Sequence, residues 1–144
     1  MTKEIKYLII EEGATADFVV DVYGGNLNEL FANCAEACFF AMTDIEKVKP
    51  EKELNIIIDA ENIDDLLYNF VSELIYLKDT EKIFLCRFDV HIVSDEKSLM
   101  AVVAGETIDY HNHEIKTDVK AITYHDLHIK KTEDGFMTRV ILDL

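Results

Sequence analysis

Apolar residues recur at helical spacing in two stretches of the chain. Leu27, Leu30, Phe31, Cys34, Cys38 and Phe39 fall on one stripe, and Leu66, Leu67, Phe70, Val71, Leu74 and Ile75 on another. This is the i, i+3, i+4 pattern of an amphipathic helix. Asn26, with Glu29 three positions on, is placed to cap the first helix. Asn62 or Asp64 can cap the second, whose first turn is crowded with carboxylates that the helix dipole favours. Elsewhere the period is two. Phe18, Val20 and Val22 alternate with Val19, Asp21 and Tyr23, and Leu54, Ile56 and Ile58 with Asn55, Ile57 and Asp59. A long strand turns Phe84, Cys86, Phe88, Val90 and Ile92 inward and Arg87, Asp89 and His91 outward. Ser94-Asp95-Glu96-Lys97 reads as a turn into a strand over 99–104. Two more strands, 121–130 and 136–142, are joined through Asp134-Gly135, a hairpin signal.

The order is strand, strand, helix, strand, helix, then four strands. It predicts an α+β fold of two layers, with both helices packed on one face of a mainly antiparallel sheet. The segment 105–118 departs from both periods. It is polar, carries His111 and His113, and is long enough for a functional loop.

The chain has 144 residues, the size of one domain spanning 1–144. Its 29 acidic and 14 basic residues leave a formal charge of −15. Such a surface repels phosphate backbones, whose binding depends on Lys and Arg, so direct nucleic-acid binding is not expected. The opening Met1-Thr2-Lys3-Glu4-Ile5 lacks the apolar core of a signal peptide, and no apolar run approaches the roughly 18 residues of a membrane span. Three cysteines, Cys34, Cys38 and Cys86, show no metal-type spacing and read as reduced core residues of a cytoplasmic protein.

Chemistry-bearing motifs are sparse. No glycine loop for phosphate exists, Gly24-Gly25 being a turn before the first helix. No Ser or Cys stands in a nucleophile elbow. His111-Asn112-His113 lacks the further soft ligands of a zinc site. His125 and His128 are expected on opposite faces of a strand. Asp17 and Asp143 stand at element ends, where carboxylates suit a hard cation.

Four segments, in order and spanning nearly the whole chain, carry a resemblance. They are Thr15-Ala16-Asp17, then Asp64-Asp65-Leu66-Leu67-Tyr68-Asn69-Phe70, then Val119-Lys120-Ala121-Ile122-Thr123-Tyr124-His125, and finally Val140-Ile141-Leu142-Asp143-Leu144. Together they resemble the archease family. That resemblance implies an accessory protein, not an enzyme, which activates an RtcB-type RNA ligase in tRNA splicing by promoting its GTP-dependent guanylylation and repeated turnover. It implies a divalent-cation site, calcium ahead of magnesium, on Asp17, Asp143 and a main-chain or terminal oxygen of Leu144. Lys120 falls on the family's matched lysine, and Tyr124 and His125 are further functional candidates. Ala14 stands where the family usually has His, so no proton-transfer role carries over. No nucleotide site is expected on this chain. The alternatives are a chaperone modulating a tRNA methyltransferase and, more remotely, a stand-alone metal-dependent hydrolase.

Overall fold

The computed structural model describes residues 5–12 and 17–144, the side chains of Glu11 and Glu12 excepted. The Thr15-Ala16 part of the first family segment, with Ala14, lies outside the described residues. The elements are β1 (Tyr7–Glu12), β2 (Asp17–Gly24), α1 (Leu27–Phe40), a 3₁₀ turn (Ile45–Lys47), β3 (Lys52–Asp59), α2 (Ile63–Glu81), β4 (Ile83–Ile92), β5 (Ser98–Thr107), β6 (Ala121–Ile122), β7 (Lys130–Thr132) and β8 (Gly135–Asp143).

Both helices begin where the capping residues place them. The Asn26 side chain accepts from the Glu29 N–H at 2.9 Å, and the Asn62 side chain from the Asp65 N–H at 2.9 Å. Each thereby satisfies an amide that the first helical turn leaves without a partner. Asp64, the other capping candidate, turns instead to the far end of the chain: its carboxylate accepts from the Ile129 N–H at 2.9 Å and meets His128 Nδ1 at 2.9 Å. Lys82, with φ 52°, ends α2 in a left-handed cap.

The fold is α+β with antiparallel strands, as the pattern predicts, and the strands divide between two sheets. One runs β1-β2-β8-β6, with β7 also on β8; the other runs β3-β5-β4. Alternation reports which side chains share a face, not which strand lies alongside, so it is silent on this division. On β2 the inward row is the one the alternation assigns, Phe18, Val20 and Val22 being buried; on β5 the buried row is Leu99, Ala101 and Val103. α1 packs on β2 of one sheet and β4 of the other. Phe31 stacks on Phe70 of α2 at 6.0 Å, and Phe39 meets Phe88 of β4 at 5.8 Å. Cys34 and Cys38 lie free and buried in this core; burial raises both thiols, Cys38 to about 12.

The expected strand over 121–130 is a correction. It survives as β6 and β7 at its ends, while 123–129 forms a loop that turns at Asp126 with φ 58°. His125 and His128 therefore sit on this loop and not on opposite strand faces. The loop is drawn toward α2 by Asp64 and by Tyr124, and these contacts replace ladder hydrogen bonds. At the hairpin the turn is Glu133-Asp134, and Gly135 opens β8 with φ 151°. A Cβ there would stand 2.2 Å from the Gly24 carbonyl oxygen, so the position requires glycine.

Candidate functional site

The second and the last long strands are neighbours, and their register sets Asp17 directly opposite Asp143. Ala121 of β6 lies opposite Asp143 on its other side. Directly opposed residues of an antiparallel pair project to the same face, with Cβ atoms about 4.5–5.5 Å apart. Asp17 alternates with buried Phe18, Val20 and Val22, so the pair stands on the outer face of the sheet. Two rows along the same face, Asp21 lies opposite Arg139, which donates from Nε at 2.7 Å and from Nη2 at 3.1 Å. One row is thus matched in charge. The terminal row puts carboxylate against carboxylate, and among the described residues no ion pair reaches either one.

Lys120 is tied to the same spot through its backbone: its N–H donates to the Asp143 carbonyl at 2.8 Å, and its side chain is exposed. Leu144 follows Asp143 and packs its side chain against the core. Two carboxylates and a main-chain oxygen are hard donors, the kind that calcium and magnesium take. Among the described residues no group of three or more His, Cys, Asp or Glu is placed to hold a metal ion, so a cation here would complete its shell with main-chain oxygen and water.

Lys78 is a residue that the helical pattern could have exposed and that the sequence reading passes over. It continues the buried stripe of α2 through Leu67, Val71, Leu74 and Ile75, and a lysine on such a stripe needs partners. It is 5% exposed. Its Nζ donates to the Asp118 carboxylate at 2.7 Å and to the Val119 carbonyl at 3.0 Å, and pairs with Asp79. Burial pulls this ammonium's pKa down, but the hydrogen bonds from Asp118 and Asp79 outweigh it and hold the group above its ordinary value. Lys78 therefore clamps the two residues that precede Lys120.

Tyr124 and His125 stand apart from the carboxylate pair. The Tyr124 ring stacks on Tyr68 of α2, with centroids 3.8 Å apart and planes 10° from parallel, while 58% of the residue stays exposed. Partial desolvation of the hydroxyl and the nearby Asp65 carboxylate raise its pKa. His125 is exposed, 3.5 Å from Asp126. His113 is buried in the loop after β5. It accepts the Asp109 N–H at Nδ1, 2.8 Å, so Nε2 carries the proton toward Glu106 at 2.7 Å. That bond, with one from the Lys49 N–H, holds the Glu106 carboxyl below its usual range. Beside it opens a cavity of about 540 Å³ lined by Glu51, Lys52, Glu106, Asp109, Tyr110 and His111. His111 faces solvent there and does not join His113.

The model of the Archease protein family matches residues 7–144. The protein archease of Thermococcus gammatolerans is 40% identical over 133 residues, covering 90% of this chain and 94% of that protein. That of Methanosarcina mazei is 32% identical over 142 residues, covering 96% of each. Among solved structures, protein 1598 of Methanobacterium thermoautotrophicum superposes with a TM-score of 0.82 at 34% identity, over 96% of this chain and 99% of its own. A Thermotoga maritima archease, described as a possible chaperone, shares the fold with a TM-score of 0.61 at 19% identity, over 100% of this chain and 98% of its own.

Proposed function

The chain belongs to the archease family, and from that premise we propose that it is a metal-binding accessory protein of an RtcB-type RNA ligase, promoting the ligase's GTP-dependent guanylylation and turnover in tRNA splicing. The observation that carries the reading is the row at the sheet end. Asp17 opposes Asp143, and the backbone of the exposed Lys120 is bonded to Asp143. Asp17, Asp143 and a main-chain oxygen of Leu144 would hold calcium, or magnesium in its place. The ion would neutralise the opposed carboxylates at the sheet end. Lys120 then supplies the positive charge there, on a backbone that Lys78 and Asp143 hold in place. A −15 surface speeds encounter with a basic protein at low salt, whereas it keeps RNA at a distance.

The chain supplies no nucleotide-binding motif, so the chemistry belongs to the ligase. The test is guanylylation of a purified ligase with GTP, with and without this chain. The expected result is faster and repeated guanylylation with the native protein, and little stimulation with Lys120→Ala, which leaves the melting temperature intact. A ligase indifferent to the native chain overturns the reading. Capture of a tRNA methyltransferase instead of the ligase from a native extract would favour the chaperone alternative.

A further inference from the structure

The helices pack on one face of the β3-β5-β4 sheet; the other face is bare at its centre. Ile57 is 71% exposed, Met100 60% and Val102 36%. The register arranges this face as a grid. One row is Glu53, Ala104, Arg87; the next is Asn55, Val102, Asp89; the third is Ile57, Met100, His91. Asp59 and Ser98 close the far end. Ala104 is buried, so the apolar stripe begins at Val102 and runs along the central strand to Met100, with Ile57 beside it.

From this grid we infer that the outer face of the three-stranded sheet is a self-complementary docking surface for a second copy of the chain. A two-fold axis lying in the interface and parallel to β5 sets each central residue over its own copy, Met100 on Met100 and Val102 on Val102. It also sets β3 of one copy over β4 of the other. Glu53 then faces Arg87 of the second copy, twice by symmetry. Asn55 faces Asp89, and Ile57 covers the His91 ring. No like charges meet. The other in-plane axis, perpendicular to the strands, would set Glu53 over Asp59, acid on acid, and leave Arg87 without a carboxylate. The charges thus select one of the two arrangements. Isologous pairing of this kind closes as a dimer, with the sheets about 10 Å apart.

The surface is small. Three strands and four rows bury on the order of 1,000 Å² over both copies, the range of transient contacts, and two strongly acidic chains repel at long range. The dimer therefore forms at high protein concentration. None of Asp17, Asp143, Lys120 or Tyr124 lies on this face, so the inference is independent of the ligase reading.

Sedimentation equilibrium tests it, from about 0.02 mM to 1 mM protein at about 0.15 M salt, where the Debye length is about 8 Å. The mass should rise from 16.5 kDa toward twice that value. Met100→Lys, an exposed position whose substitution leaves the circular dichroism unchanged, should stay monomeric throughout. Arg87→Glu and Glu53→Arg should each weaken association roughly tenfold, because two attractive pairs become repulsive. The double exchange Glu53→Arg with Arg87→Glu should restore it to within about threefold. A native chain that stays monomeric across the range, association unaffected by Met100→Lys, or no rescue by the double exchange overturns the inference.

Discussion

Replacing Lys78 by Met tests whether the clamp on the segment before Lys120 holds structure and function together. Methionine keeps the apolar stem in its slot along α2, so the change isolates the ammonium and its three bonds. Asp118 and Asp79 are both exposed and return to water when the ammonium goes. The Val119 carbonyl is different, because Val119 is fully buried and its oxygen loses the Lys78 donor. A buried acceptor left without a partner costs about 1–3 kcal/mol. Adding a fraction of one charge-assisted bond gives about 2–3 kcal/mol in all. For a chain of this size that is roughly 5–10 °C in melting temperature.

The same bonds set a pH signature. The ammonium is held above its ordinary pKa in the folded chain, so its contribution is complete below about pH 10.4 and is lost as pH rises through the folded value. Thermal melting from pH 7 to 12 should therefore show a constant gap between the native and Lys78→Met curves up to about pH 10.4 and a narrowing gap above it. Ligase stimulation should fall as well, since the backbone leading to Lys120 loses its tether. A variant that melts within a degree of the native chain at pH 7, or a gap that does not narrow above about pH 10.4, refutes this account of Lys78.

Three further outcomes follow from the geometry. Tyr124→Ala should lower the melting temperature by uncovering Tyr68, whereas Tyr124→Phe, which keeps the stacked ring, should melt like the native chain; equal melting of all three would show that the stack contributes nothing. Glu106 is held below its usual pKa by His113 and the Lys49 N–H, so its share of stability is present above about pH 4.3 and disappears as pH falls through the folded value; Glu106→Gln should flatten that part of the acid melting profile. Gly105→Ala should destabilise by about 1–3 kcal/mol or more, because a Cβ there would lie within contact of the Phe84 carbonyl oxygen; denaturant unfolding with unchanged slope would measure it.

The parts of the fold that read cleanly from the sequence are those decided locally. The stripes of α1 and α2 and their Asn caps are set within a few residues, and so is the inward row of β2. What local pattern cannot hold is partnership. β8 is the last of the described strands yet pairs with β2; this contact brings Asp17 to Asp143 and has no trace in periodicity. Family resemblance named those two residues together where periodicity could not. The interrupted strand over 123–129 failed for a related reason. Alternation there is overruled by contacts with Asp64 and Tyr68, both on α2 and some sixty residues away. Lys78 was legible in principle, since a cation on a buried stripe breaks the helical pattern and so marks a polar contact in the core.

The row at the end of the outer face breaks a local rule in the same way. Opposed like charges on neighbouring strands destabilise, where Asp21 and Arg139 two rows away show the compensated alternative. At about 5 Å in a water-like medium the repulsion between two carboxylates is about 0.8 kcal/mol, and no residue of the described chain forms an ion pair with either. A row kept without a local remedy is what the proposed cation site would explain, and melting in the presence and absence of cation tests it. Two opposite effects of one substitution then follow. In chelator, Asp143→Asn should melt at or slightly above the native temperature, because it relieves the repulsion. With calcium at a hundred times its dissociation constant, the native chain should gain about 2.7 kcal/mol, roughly 5–10 °C for this length, and Asp143→Asn should gain little. The two melting curves should therefore cross as calcium is added. A native chain that melts identically in calcium, magnesium and chelator removes the cation from the site. An Asp143→Asn chain that is markedly less stable in chelator shows instead that the carboxylate serves the fold.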